Sequence, residues 1–336
     1  MKSLLERHPA NPVLQHTDCS FPATTVFNAG VARYEGRYVM LFRNDHGRWG
    51  DAHFDGTNLG LATSVDGLKW TVAPRPVLDE GRARAGLAHL YPARFGPGFI
   101  KRIYDPRITV VEGRALLCFA VDTAHGICGV IAETADFEHY RFLSLTAPDN
   151  RNMVLFPERF GGEFIRLERP FPVYMRENPE AFPIWLSRSP DLVNWGRNVP
   201  VLGADELPYV NNKIGPAAPP VRTYAGWLTP IHAVWKDPGQ RLHGWEERGW
   251  YKQYFAGLAL LDLDDPSRVC GLMRRPLLAP KAPYEVEGFR GSVIFPCGLL
   301  YDEGSGEVRL YYGAADTSVA LATGHVDELI AACEPL

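Results

Sequence analysis

Nowhere in this 336-residue chain is there an uninterrupted apolar stretch of about 18 residues, which excludes a membrane-spanning helix. Met1 to Leu14 holds no apolar run of the kind a secretory leader needs, so none is expected. The six cysteines (Cys19, Cys118, Cys128, Cys270, Cys297, Cys333) are scattered and form no Cys-x-x-Cys pair. A metal ribbon or disulfide framework is therefore not expected, and reduced thiols in a cytoplasmic protein are the simple reading. With 35 basic against 39 acidic side chains and no basic stripe, nucleic acid is excluded as a partner. Long helical periodicity is missing too, and 28 prolines and 32 glycines are spread along the whole chain, which turns attention to short strands and turns.

What is present is a repeat. A turn containing glycine followed by an alternating strand occurs five times, at Glu35-Gly36 to Arg43, Glu112-Gly113 to Phe119, Gly161-Gly162 to Arg169, Ala225-Gly226 to His232 and Ser305-Gly306 to Tyr312. Several copies are followed by a second element, a strand ending in Ser or Thr, an acidic turn and an aromatic. It reads Thr63-Ser64-Val65-Asp66-Gly67 to Trp70, Thr134-Ala135-Asp136 to Tyr140, and Ser189-Pro190-Asp191 to Trp195. Such turns suit hairpins between the outer strands of a blade. Five strand-rich units predict an all-β, five-bladed β-propeller, with residues 1–336 forming one catalytic domain because each blade covers its neighbours' faces. A β-sandwich or a pair of β domains is the alternative.

In a propeller the inner strands line the axis, and the glycine-led strands are read here as those inner strands. Arg43 then ends the first, Arg169 the third and His232 the fourth; Asp316 follows the fifth, and Tyr104-Asp105-Pro106-Arg107 leads into the second. Asp105 is the candidate acid. Pro106 is expected to hold it in extended backbone, and its flank of Tyr104 and apolar residues to raise its pKa, as glycosidic bond cleavage by a carboxylic acid requires. The competing reading makes Asp105 and Arg107 a structural turn closed by a salt bridge. Arg151, Arg169 and Lys213 are a candidate set for a dianion, since guanidinium groups grip phosphate in pairs and lysine adds a point charge. Taken singly, each is as well read as a solvated surface charge.

The chain resembles glycoside hydrolase family 130, the β-mannoside phosphorylases. The likeness runs through Arg7-His8-Pro9-Ala10-Asn11-Pro12, Val26-Phe27-Asn28-Ala29-Gly30, Tyr104-Asp105-Pro106-Arg107, Arg151-Asn152-Met153, Lys213-Ile214-Gly215, Phe295-Pro296-Cys297-Gly298 and Tyr312-Gly313-Ala314-Ala315-Asp316. The resemblance implies Asp105 as general acid, passing its proton through the mannose 3-hydroxyl while phosphate attacks the anomeric carbon from the opposite face. It implies Arg151, Arg169 and Lys213 as phosphate ligands, with Tyr254 and His232 beside them, and Asn28, Arg43, Tyr104 and Asp316 holding mannose. Phe295 is placed on the acceptor side. Phosphate is then a co-substrate, no metal or organic cofactor is implied, and the product is α-mannose 1-phosphate.

The chain departs from the family pattern in places. Pro216 follows Gly215 and stiffens that loop, Ser292 replaces a common Asn, and Glu168 precedes Arg169, where strand alternation points it to the opposite face. Loops 171–183 and 235–252 look specific to this chain and are read as acceptor-site or subunit-contact loops. The expected reaction is inverting phosphorolysis of a β-mannoside, with a β-1,4 linkage such as mannosylglucose as first expectation. A hydrolase on the same fold, with Glu158 or Glu168 as base, and a non-catalytic sugar-binding propeller are the rivals. A monomer or homodimer is expected.

Overall fold

The computed structural model describes residues 3–50, 53–92, 96, 98–171, 181–244 and 250–336. Strands dominate and form five antiparallel sheets, the blades of a five-bladed propeller. The first blade runs Thr25–Tyr34, Arg37–Gly50, His53–Ser64 and Thr71–Val72. The second runs Ile100–Val111, Arg114–Thr123, Gly126–Thr134 and Arg141–Leu145, and the third Asn150–Leu155, Phe164–Pro170, Ile184–Ser189 and Gly196–Leu202. The fourth is built on Ile214–Pro216, Trp227–Lys236, Lys252–Leu261 and Val269–Leu272, with Glu334–Pro335 added at its outer edge. The fifth is Ile294–Tyr301, Glu307–Ala314 and Ser318–His325, completed by Glu6–Arg7 from the other end of the sequence. Arg7 reinforces that closure by an ion pair to the buried Glu285 at 2.7 Å, which also accepts a hydrogen bond from Tyr312 Oη.

The strands that meet around the central axis are the first of each blade, such as Thr25–Tyr34 against Ile100–Val111 and Ile294–Tyr301. The glycine-led strands are therefore second in each blade, not innermost as the repeat suggested. The recurring glycine makes the hairpin that joins the inner strand to the second: Gly36 and Gly113 adopt φ of 76° and 75°, where a side chain is unfavourable. Side-chain aim survives the correction. Arg43 and His232 do not end their strands, which run on to Gly50 and Lys236, yet Arg43, Arg169, His232 and Asp316 all line the cavity at the axis.

The outer turns follow one chemical plan. Ser64 Oγ accepts from the N–H groups of Asp66 and Gly67, while Asp66 Oδ1 accepts from Leu68 and Lys69. Thr134 with Asp136 and Ser189 with Asp191 reproduce the pattern residue for residue. Serine, threonine and aspartate recur there because their short side chains substitute for the backbone partners that a tight turn lacks. The core lies between blades. Trp227 of the fourth packs edge-on to Phe156 at the end of the third blade's inner strand, with ring centroids 5.2 Å apart. No helix among the described residues is long and apolar enough to cross a membrane.

Candidate active site

At the rim where the inner strands begin, one backbone device is used three times. The ladder between inner and second strand skips between Phe27 and Gly30, between Tyr104 and Arg107, and between Arg151 and Val154. The residues left over are in left-handed conformation: Asn28 at φ 48°, Asp105 at 56° and Asn152 at 61°. Such bulges re-aim a side chain out of the sheet, and all three residues line the cavity at the propeller axis. Asn and Asp bear this conformation better than other side-chain-bearing residues, yet each still costs about 1 kcal/mol or more. Asp105 is therefore not extended, as Pro106 had suggested. The bulge overrides the preference that a following proline imposes, and the bulge sets its direction.

The cavity is lined by Asn28, Arg43, Tyr104, Asp105, Arg151, Arg169, Lys213, His232, Tyr254, Phe295 and Asp316, which are all the site residues expected from sequence. Arg102, Asn152, Trp250, Arg290 and Val293 line it as well and were not foreseen. Trp250 belongs to the 235–252 loop, so that loop does reach the site; 172–180 and 245–249 lie outside the described residues.

The two sides of the cavity differ electrostatically. On the first, second and fifth blades the charges are paired. Arg43 grips Asp45 through two bonds of 2.7 and 2.6 Å and lies 3.6 Å from Asp105 Oδ1. Asn28 Nδ2 donates to the same Asp105 oxygen at 2.8 Å. Arg107, wholly buried, donates to the Asp105 backbone carbonyl rather than to its carboxylate, and to Ala217 O at 2.6 Å, so the turn salt bridge considered from sequence is not formed. Tyr104 Oη donates to Asp122 and accepts from Arg151 Nη1 at 3.2 Å.

These contacts reverse one expectation. Burial pushes the Asp105 pKa upward, but Arg43, Arg107, the Asn28 amide and Arg151 together hold it below the usual carboxylate value. The raised carboxyl is Asp316, pushed up to about 6 by burial against the opposing pull of Arg290 and Arg43. Tyr104 is likewise pushed up to about 12 by burial.

On the third and fourth blades the charges are not paired. Among the described residues no carboxylate forms an ion pair with Arg151, Arg169 or Lys213. Arg169 is fully buried; its Nη1 lies 3.0 Å from His232 Nε2, and its Nε has no partner. Burial and the neighbouring Arg151 push its pKa down to about 9. Burial, Arg169 and Arg151 hold Lys213 well below the ordinary lysine value, and burial with Arg169 and Lys213 does the same to His232. Gly215 allows this crowding, because a Cβ there would collide with the His232 ring and press on Arg169 Cδ. Like charges packed together with no counter-charge among the described residues make a site that attracts an anion.

The two glutamates named as possible bases are elsewhere. Glu158 faces Arg222 at 3.7 Å on the surface. Glu168 is buried on the strand face away from Arg169, where it binds Arg166 at 2.9 Å, Asn150 Nδ2 at 2.6 Å and Ser187 Oγ. Among the described residues no group of three or more His, Cys, Asp or Glu side chains is placed to hold a metal ion.

Residues 5–335 match the family Glyco_hydro_130, described as beta-1,4-mannooligosaccharide phosphorylase. The chain belongs to glycoside hydrolase family 130. This family 130 member is an enzyme, a glycoside phosphorylase acting on β-mannosides. It is 29% identical over 98% of its length, and 90% of the relative's, to the beta-1,4-mannooligosaccharide phosphorylase of Ruminococcus albus. It is 29% identical over 80% of its length, and 67% of the relative's, to the beta-1,2-mannobiose phosphorylase of Listeria innocua. The solved structure of a beta-1,2-mannobiose phosphorylase from Listeria innocua, in complex with beta-1,2-mannobiose, superposes with a TM-score of 0.79 at 25% identity, covering 98% of each chain.

Proposed function

We propose that this family 130 enzyme is an inverting phosphorylase that transfers mannose from a β-1,4-linked mannosyl disaccharide or oligosaccharide, mannosylglucose among them, to inorganic phosphate. The observation that carries the reading is the cluster of Arg151, Arg169 and Lys213, with which no carboxylate among the described residues forms an ion pair, lining the same axis cavity as Asp105. A phosphate dianion supplies the missing negative charge. Asn28, Arg43, Tyr104 and Asp316 then hold the mannose between the anion and the acid, and Phe295 lies on the acceptor side.

A phosphate oxygen attacks the anomeric carbon as the bond to the leaving sugar breaks. The leaving oxygen takes the proton of Asp105, relayed through the mannose 3-hydroxyl as the family resemblance implies. The low pKa of Asp105 in the empty site fits this sequence of events. Arg151 is among the charges that hold the carboxyl ionised, and an incoming dianion offsets that field. Phosphate binding therefore eases uptake of the proton that Asp105 must donate, against the pull that Arg43, Arg107 and the Asn28 amide still exert. The β-1,4 preference rests on the full-length match to the Ruminococcus albus relative and on the family description.

Hydrolysis is disfavoured because neither Glu158 nor Glu168 lines the cavity, so neither can activate a water there. The test is an assay on β-1,4-mannosylglucose, β-1,4-mannobiose and β-1,2-mannobiose with and without phosphate. Mannose 1-phosphate formed only with phosphate is the expected result. Free mannose released at the same rate without phosphate would overturn the phosphorylase reading, and a β-1,2 substrate as the best one would overturn the linkage.

A second expectation concerns the free protein. Phosphate that fills an anion-starved site binds the folded state alone, and at 100 times its dissociation constant stabilises it by about 2.7 kcal/mol. The melting temperature is therefore expected to climb with phosphate concentration at constant ionic strength, and chloride at matched strength is expected to do far less. Equal effects of the two salts would remove the specific site.

A further inference from the structure

Resting on the phosphorylase reading above, we propose that Arg290, framed by Trp49, Phe289 and Trp250, forms the subsite for the sugar that leaves and selects which acceptor the enzyme uses. Arg290 was not singled out by sequence. It sits in the segment leading into the fifth blade's inner strand, lines the cavity, and its Nη1 lies 3.4 Å from Asp316 Oδ2. Its guanidinium carbon is 5.2 Å from the Phe289 ring centroid, 5.3 Å from Trp250 and 6.0 Å from Trp49.

Two observations place the leaving sugar here. The first is the direction of the reaction. In an inverting displacement the nucleophile and the leaving group lie on opposite sides of the anomeric carbon. The unpaired cations that would hold phosphate come from the third and fourth blades. The leaving sugar therefore departs towards the first and fifth, where Asp316 stands and where Arg290 enters the cavity at the border with the fourth blade's loop, its backbone bridged to Gly244.

The second is the shape of the rim. Among the described residues the hairpin of strands Arg37–Gly50 and His53–Ser64 has the longest paired strands, and it continues past the level of Arg43 and Asp45 to the cross-strand pair Trp49 and Phe54. Trp49 meets Phe289 edge-on with ring centroids 4.7 Å apart, and Phe54 lies 4.9 Å from Phe289. This overhang walls the first and fifth blades together above the site. Phe289 and Phe54 are buried behind Arg290, while Trp250, which lines the cavity, and the partly exposed Trp49 offer aromatic faces beside its guanidinium, the combination that binds a pyranose, ring against ring and hydroxyls against the N–H fork. Because Arg290 also pairs with Asp316, a group assigned to the mannose, the two sugar positions share one ion pair.

The test compares Arg290→Gln and Trp49→Ala with the wild type in the synthetic direction, using α-mannose 1-phosphate with glucose, mannose or N-acetylglucosamine as acceptor. Losing a charged hydrogen-bond partner is expected to raise the acceptor KM by about tenfold or more. The KM for α-mannose 1-phosphate should change far less, and the ranking of the three acceptors should change. Parallel rises in both constants, or no rise in either, would overturn the proposal. Trp49→Ala also removes packing from its hairpin, so Arg290→Gln, which keeps the side chain polar and of similar length, is the deciding variant. If the wild type proves not to use phosphate, the phosphorylase reading fails separately. The subsite is then tested with the disaccharide against β-mannosyl fluoride, which has no leaving sugar. Selective loss on the disaccharide supports it, and equal loss on both sinks it.

Discussion

Asp105→Asn is expected to lower turnover by about 10²- to 10⁴-fold, the range spanned by loss of a general acid. The substitution keeps the shape of the side chain and one oxygen that can accept from Asn28 Nδ2, as Asp105 Oδ1 now does at 2.8 Å. Asparagine is also at ease in the left-handed backbone at this position, and Arg43 keeps its two bonds to Asp45. Folding should therefore be little affected. Phosphate binding should be no weaker and is expected to tighten, because a negative charge facing Arg151 has been removed. Turnover is followed by mannose 1-phosphate release and phosphate affinity by calorimetry. Near-normal turnover would dismiss Asp105 as the acid. Lost turnover accompanied by lost phosphate binding would make it a structural residue of the pocket.

Lys213→Met is expected to damage the reaction and strengthen the empty protein at the same time. Lys213 is held well below the ordinary lysine pKa by burial and by Arg169 and Arg151. Between its folded and unfolded pKa values the unfolded chain binds more protons, so stability rises with pH across that window and is poorest below it. Without phosphate the fold carries a penalty for burying Lys213 beside the guanidinium groups of Arg169 and Arg151. Methionine fills similar space without the charge, and the melting temperature without phosphate is expected to rise by about 1–3 °C. Loss of a charge-assisted contact should raise the phosphate KM about tenfold or more, with a much smaller change for the sugar. The stabilisation by added phosphate should shrink in step. A lower melting temperature with unchanged phosphate KM would show that Lys213 serves packing and not anion binding.

The repeat was legible because each blade needs a tight hairpin, and glycine at Gly36 or Gly113 is what a left-handed turn demands. Which strand lay innermost was not legible. The inner strands are interrupted by bulges, and that of the fourth blade, Ile214–Pro216, is only three residues long, too short to show alternation. The regular second strands point to Arg43, Arg169, His232 and Asp316, and family motifs point to Asp105, Arg151 and Lys213. Arg290 and Trp250 lie in irregular segments between strands, where no periodicity marks them. A usable signal did exist: Arg151 and Lys213 stand at or just before the start of an inner strand, and Arg290 occupies the matching approach to Ile294–Tyr301. The ionisation of Asp105 was misjudged for a related reason. Its sequence neighbours are aromatic and apolar, but the groups that set its charge come from other strands, Arg43 and Asn28 from one blade and Arg151 from another.

The closure of the fifth blade has a consequence for how the chain is made. Glu6 and Arg7 pair with Thr323 and Ala322, so the outer strand of the last blade is synthesised long before the strand it pairs with. At about 5–20 residues per second, translation separates the two by roughly 15–60 s. Four blades can assemble in that interval, but the ring stays open and the amino-terminal strand stays unpaired until Ser318–His325 is made. Until Ser318–His325 is made, the nascent enzyme is an arc with unpaired strand edges, the kind of surface through which β chains join the wrong partner.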